Sequence, residues 1–300
     1  LSPDHTRITT PAQWPEQRQY LLDLLAYYEY GKMPPPGKVV VEELSEHPGL
    51  EGKATVVEFT LKIDEKIPLR MHCGLVLPSP LPAEKVPVII AVDPVWQPHV
   101  VPIARQVIER GYAFAGFIYH DIDNDTGKKD QGVYPSYPEY DWGSVAAWAW
   151  GAMRLTDYLV TRPEMDTDRL TITGHSRCGK AALLAGAMDT RFALVAPHCS
   201  GAGGAGSFRI QPEDAETLTL ITDPKRFYYW FSPRLSEFSG KENSLPFDQH
   251  FLKACIAPRY LLSLEAQEDK WANPEGAQQT HQAAEEVYHF LGESEKTAFI

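Results

Sequence analysis

The sequence predicts an α/β fold built as a three-layer α/β/α sandwich, and three observations carry that expectation. From Val86 onward, buried apolar runs of strand length alternate with amphipathic stretches of helical length, the pattern of parallel strands joined by crossover helices. The 300 residues are 43% hydrophobic and 23% charged, which is enough apolar mass for a sizeable core and too much for a disordered tail. A glycine-bracketed turn at 174–179 sits between a predicted strand and a predicted helix. With no internal repeat and no low-complexity segment, residues 1–300 read as a single domain.

Thr10-Pro11 can cap a helix, and Leu21, Leu22, Leu24 and Leu25 run on to Gly31 and the stop Met33-Pro34-Pro35-Pro36. One N-terminal helix therefore precedes a proline linker. Segments 39–43, 55–63 and 69–77 read as strands of a hairpin-rich sheet edge, the middle one alternating as Val57, Phe59 and Leu61 against polar neighbours. Next come a buried strand at 88–92, a helix near 103–110 closed by Gly111, and a strand at 112–117. A loop passes Pro138, and a long helix from about 142 to 159 leads to a strand at 170–173. Another helix begins just beyond Ser176. A strand at 194–197, a glycine-rich loop, an irregular aromatic insertion to Phe247, a strand at 260–266 and a helix at 274–291 complete the pattern. At 296–300 a further strand begins.

Charge and cysteine usage exclude several functions. The net charge of −12, with no local Lys/Arg cluster, is opposite in sign to what phosphate neutralisation needs, so nucleic acid is not an expected partner. No apolar run approaches the roughly 18 residues of a membrane helix, so no membrane association is expected. Cys73, Cys178, Cys199 and Cys255 lie far apart with no C-x-x-C pair, which indicates neither a zinc site nor a dense disulfide framework. The chain starts at Leu1 without a charged-then-apolar leader, as a processed or excised chain would.

The turn Gly174-His175-Ser176-Arg177-Cys178-Gly179-Lys180 admits two chemistries. It fits the phosphate loop G-x-x-x-x-G-K, except that Ala181 stands where a hydroxyl must meet Mg²⁺. It also fits a nucleophile elbow, in which a tight turn lifts Ser176 above the sheet and the following helix N-terminus favours developing negative charge. The elbow loses the last Gly of G-x-S-x-G to Cys178, yet it is the better match and predicts the α/β-hydrolase fold. Gly201-Ala202-Gly203-Gly204-Ala205-Gly206 satisfies a dinucleotide pattern, but it follows a late strand and no apolar helix comes after it. Segment 121–127 resembles a calcium loop, but Thr126 replaces the required Gly and Gly132 the twelfth-position carboxylate; a solvated acidic turn is expected.

A serine nucleophile needs a base and an acid to orient it, in the order Ser, acid, His for this fold. Asp269 follows the strand at 260–266, where the acid belongs; the lesser alternative is that Glu268 and Asp269 are ordinary loop carboxylates. No histidine is well placed as base. His281 and His289 fall on the preceding helix and read as surface residues, His250 as a helix-start residue, and His175 should point away from the turn. The base is expected beyond Ile300, so the domain reads as lacking its completed C-terminal strand and catalytic His.

Residues 174–180 resemble the nucleophile motif of the glucuronoyl esterases, particularly their bacterial branch. Gly111-Tyr112-Ala113, 119–123, the helix from Trp142, 245–250, Ala257-Pro258-Arg259 and 268–274 look like the same family, over residues 8 to 300. The resemblance implies a secreted or periplasmic, monomeric serine esterase that needs no metal or organic cofactor. It would cleave the ester joining 4-O-methyl-glucuronate of glucuronoxylan to lignin alcohols. By position, it implies Ser176 as nucleophile, Arg177 as oxyanion donor, Asp269 as orienting acid, Lys180 as a sugar contact and Trp271 as a wall of the sugar site. Trp230 and Glu216 are further substrate-contact candidates. Two departures stand out: Cys199 takes the place of a family Glu, and His175 that of a fungal disulfide Cys. Cys199 is expected as a free thiol near Asp269. An acetyl or feruloyl carbohydrate esterase, or a silent carbohydrate-binding relative, are the alternatives.

Overall fold

The computed structural model describes residues 7–63 and 69–300, so Leu1 lies outside the described residues. In chain order the principal elements are α1 (Trp14–Leu25), β1 (Val39–Gly49), β2 (Ala54–Ile63), β3 (Arg70–Pro78), β4 (Val86–Ala91), α2 (Val101–Glu109), β5 (Ala113–Phe117), α3 (Ser144–Leu159), β6 (Met165–His175), α4 (Arg177–Met188) and β7 (Phe192–His198). After an irregular region holding the short helices α5 (Leu218–Ile221) and α6 (His250–Ala254) come β8 (Tyr260–Ser263), α7 (Pro274–Leu291) and β9 (Thr297–Phe299).

Among the described residues the strands form one nine-stranded sheet in the order β1-β2-β3-β5-β4-β6-β7-β8-β9. The edge β1-β2-β3 is an antiparallel meander joined antiparallel to β5, and every pair from β5 through β4 to β9 is parallel. This is the α/β-hydrolase arrangement that the alternation from Val86 predicts. β1 continues to Gly49, six residues past the expected end, through a register shift between Glu42 and Ser45. Its second half is polar and lies on the exposed edge, so it carries no apolar alternation to read.

Side-chain alternation makes the three layers. Val57, Leu75, Ile90 and Ala115 enter a large core with α1, α3 and α4, while Val56, Val76, Ala91 and Phe114 enter a smaller one beneath Ala104 and Ile108 of α2. Adjacent residues of one strand thus serve opposite faces.

α7 corrects one expectation. His281 is buried, not a surface residue, because β9 lies across that turn of the helix. Its Nε2 is 3.1 Å from Thr297 Oγ1 and its ring 5.5 Å from that of Phe299. Burial drives its pKa down to about 3, which keeps the ring neutral.

Candidate active site

Ser176 is the single residue between β6 and α4, with φ 55° and ψ −124°. This is a strained backbone for a residue with a Cβ, and it is held from both sides. Ser176 N–H donates to the His198 carbonyl at the end of β7 (2.9 Å), and the Ser176 carbonyl accepts from Lys180 N–H (3.1 Å). Gly174 is required here, since a Cβ on it would lie 2.3 Å from the Cys178 carbonyl oxygen. The close approach that G-x-S-x-G normally secures at its last position is secured at Gly174 and Gly179 instead. Cys178 fits because its side chain is buried. The first N–H groups of α4, Arg177 among them, have no intrahelical acceptor and face the space above the turn.

The Arg177 guanidinium is paired with the carboxylate of Asp125 and lies 5.0 Å from the Trp230 ring centre. Asp125 also accepts from Trp230 Nε1 (2.6 Å) and Tyr229 Oη (3.2 Å). The acidic segment 121–127 is therefore not a solvated turn. Asp123 is buried and accepts from Tyr134 Oη, Asp121 accepts from His72 N–H (2.8 Å), and Asp125 is spent on Arg177 and Trp230. Sequence reasoning missed Asp125 because its partners lie about 50 and 105 positions away. The Asp spacing that suggested a calcium loop was the only local signal.

Lys180 and Glu216 are both buried, and Lys180 Nζ donates to Glu216 Oε2 (2.5 Å), to the Ser200 carbonyl (2.8 Å) and to the Ala202 carbonyl (2.5 Å). The glycine-rich loop is thus a wrapping of backbone around an ammonium group, not a nucleotide cradle. At Gly203, φ is +74° and a Cβ would stand 2.2 Å from Phe231. All three ammonium hydrogens have acceptors within the chain. Glu216 N–H donates to the Trp271 carbonyl (2.9 Å), which ties this buried pair to the loop of Asp269. Trp271 is 43% exposed, whereas Trp230 is buried and stacks on Phe227 at 4.2 Å.

Asp269 caps a short turn, its Oδ1 accepting from Ala272 N–H (3.2 Å). Cys199 is a free, buried thiol whose Sγ accepts from Ala266 N–H (3.3 Å). Burial pushes the Cys199 thiol up, with Glu265 and Asp269 adding to the rise. His198 is pushed down by burial and by neighbouring His175, against the pull of Asp269. These perturbations place Asp269, Cys199 and His198 in one electrostatic neighbourhood. Glu265, at the base of the same loop, has both carboxylate oxygens buried without a hydrogen-bond partner, and burial raises its pKa.

A family model described as fungal glucuronyl esterase matches residues 64–292. A carbohydrate esterase, MZ0003, from an unknown prokaryotic organism is 40% identical over 196 residues, covering 63% of this chain and 44% of its own. The 4-O-methyl-glucuronoyl methylesterase 1 of Wolfiporia cocos is 31% identical over all of this chain and 73% of its own. The chain thus spans under half of the first relative and about three quarters of the second. A solved carbohydrate esterase family 15 glucuronoyl esterase from Caldicellulosiruptor kristjansonii superposes with TM-score 0.85 at 32% identity, covering 100% of this chain and 82% of that one. A solved glucuronoyl esterase from Sporotrichum thermophile, in complex with methyl 4-O-methyl-β-D-glucopyranuronate, superposes with TM-score 0.78 at 26% identity over 100% of this chain and 78% of that one.

Proposed function

Because the chain belongs to the glucuronoyl esterase family, we propose that it hydrolyses the ester between 4-O-methyl-glucuronate of glucuronoxylan and lignin alcohols through a serine acyl-enzyme. The observation that carries this reading is Ser176, held in a strained turn at the C-terminal edge of a parallel sheet and at the N-terminus of α4. Ser176 Oγ attacks the ester carbonyl. The Arg177 main-chain N–H and guanidinium stabilise the oxyanion, the latter held in place by Asp125.

Asp269 orients the base. Its Oδ1 accepts from Ala272 N–H, whereas both carboxylate oxygens of Glu265 are buried without a hydrogen-bond partner and burial favours the neutral form of that group. The base is a histidine following β9, the strand beside the one that leads into Asp269. Trp271 walls the sugar site from its exposed position, and Lys180 and Glu216 form the polar floor next to it. Trp230, buried against Arg177, shapes the carbonyl side. Lysine and glutamate saturate one another there, so a uronate hydroxyl would join their network by sharing an acceptor.

The substrate polymer is extracellular, which places the working enzyme outside the cytoplasm. No helix among the described residues is long and apolar enough to cross a membrane. The test is a comparison, in the full-length protein, of methyl glucuronate, methyl galacturonate and acetyl esters. Turnover should be selective for the glucuronate ester, abolished by Ser176→Ala and reduced on the order of 10³–10⁴-fold by Asp269→Asn. Preference for the acetyl ester would instead make it an acetyl carbohydrate esterase. Near-normal rates in Asp269→Asn would remove that residue from the mechanism.

A further inference from the structure

The parallel register of β6 and β7 sets His175 directly beside His198 at the C-terminal edge of the sheet. The two rings meet edge to face with centres 4.9 Å apart. Cys199 follows His198 with a positive φ of 45°, and its position is fixed by two hydrogen bonds to the neighbouring β8 segment. Its N–H donates to the Leu264 carbonyl (2.9 Å), and its Sγ accepts from Ala266 N–H (3.3 Å). One ligand atom from each of His175, His198 and Cys199 lies within 4.8 Å of the other two. Both imidazoles are exposed and the thiol is buried, so the cluster opens to solvent on its nitrogen side.

We propose that His175, His198 and Cys199 form a binding site for a zinc-class divalent ion, and that filling it silences hydrolysis at Ser176. Two imidazole nitrogens and one thiolate are a borderline donor set, matched to zinc or cobalt and unsuited to magnesium or calcium. Tetrahedral coordination at usual Zn–N and Zn–S lengths puts ligand atoms about 3.3–3.8 Å apart, so the rings must turn inward by roughly 1 Å. Their exposure leaves them free to do so. As the S–metal bond forms, the Cys199 S–H proton passes to solvent and no electron is transferred. The site abuts the Asp269 loop, since Cys199 Sγ accepts from Ala266 N–H (3.3 Å) and the Ala266 carbonyl accepts from Asp269 N–H (3.0 Å). An ion there stands beside Ser176, the residue next to His175, and takes up the space and the carboxylate that the catalytic imidazole needs.

Titration of the full-length, chelator-washed protein with Co²⁺ alone, read by visible ligand-field and near-ultraviolet thiolate charge-transfer absorption, tests the site without reference to turnover. One ion per chain with a thiolate band is expected. The band should vanish in Cys199→Ser and Cys199→Ala, and affinity should fall by more than about tenfold in His198→Gln, whose exposed ring carries no fold. His47→Gln, remote on β1, should change nothing. Zn²⁺ should inhibit the wild type over the same concentration range, while Cys199→Ala turns over normally and is not inhibited there. Binding without a thiolate band, or equal Co²⁺ affinity in the Cys199 variants, would overturn the site. Full activity with the site occupied would overturn its inhibitory role. A chain inactive on every ester would refute the esterase reading and leave the spectroscopic test intact.

Discussion

Asp125 shows how one residue can organise a site it does not chemically enter. Its carboxylate receives Arg177, Trp230 Nε1 and Tyr229 Oη, so three side chains around the nucleophile take their positions from one group. Asp125→Asn keeps the shape and leaves an oxygen for the tryptophan, but it frees the guanidinium. kcat/KM for the glucuronate ester should fall on the order of 10²-fold, the usual consequence of a catalytic group displaced by about 1 Å. Restoration of near-wild-type rates by Asp125→Glu would show that the charge matters more than its reach. Steady-state kinetics on the wild type and the two variants separates these outcomes.

The elements that carry the site are the β6 turn and α4. Gly174 allows the strand end to pass against the Cys178 carbonyl, and the obstacle a Cβ would meet is backbone, which cannot swing aside. Gly174→Ala should therefore lower stability by about 1–3 kcal/mol and abolish esterase activity together. A urea midpoint that falls at unchanged slope, alongside lost turnover, is the expected result. An unchanged midpoint would mean that the turn relaxes freely. Cys178, at the position of the missing motif glycine, reads as a defect in the sequence. In the fold it is a buried apolar filler, its thiol pushed up to about 12 chiefly by burial and so unreactive.

At the scale of the whole molecule, two buried titratable groups set opposing pH dependences. Glu29 is fully buried, its Oε1 accepting from Gln249 Nε2 (2.6 Å), and burial raises its pKa from 4.5 to about 8. The folded chain keeps a proton there that the unfolded chain releases, so this contribution is complete below pH 4.5 and is lost as pH rises through 8. His281 works in the opposite direction. With a folded pKa near 3 against 6.5, its contribution is complete above pH 6.5 and is lost as pH falls toward 3. Glu29→Gln should gain on the wild type between pH 5 and pH 8 by on the order of 3 kcal/mol, read from urea midpoints at each pH. A variant whose stability tracks the wild type at every pH would mean that Glu29 is ionised in the folded chain.

The sequence by itself determined the alternation of strands and helices, the antiparallel edge, the elbow at Ser176 and the family to which the chain belongs. Those features are local in the chain: periodicity, glycines at a turn and short motifs are all written within a few residues of the structure they specify. Only the tertiary structure decided what depends on distant partners. Asp125 became the anchor of Arg177 across about 50 residues, and Lys180 was spent on Glu216 and two carbonyls of the glycine loop. His281, polar on an amphipathic helix, was buried by the strand that packs over it. Cysteine spacing argued against a metal site, yet parallel register brings His175 to His198 and Cys199, because neighbouring strands place side by side residues that the chain separates by a whole crossover.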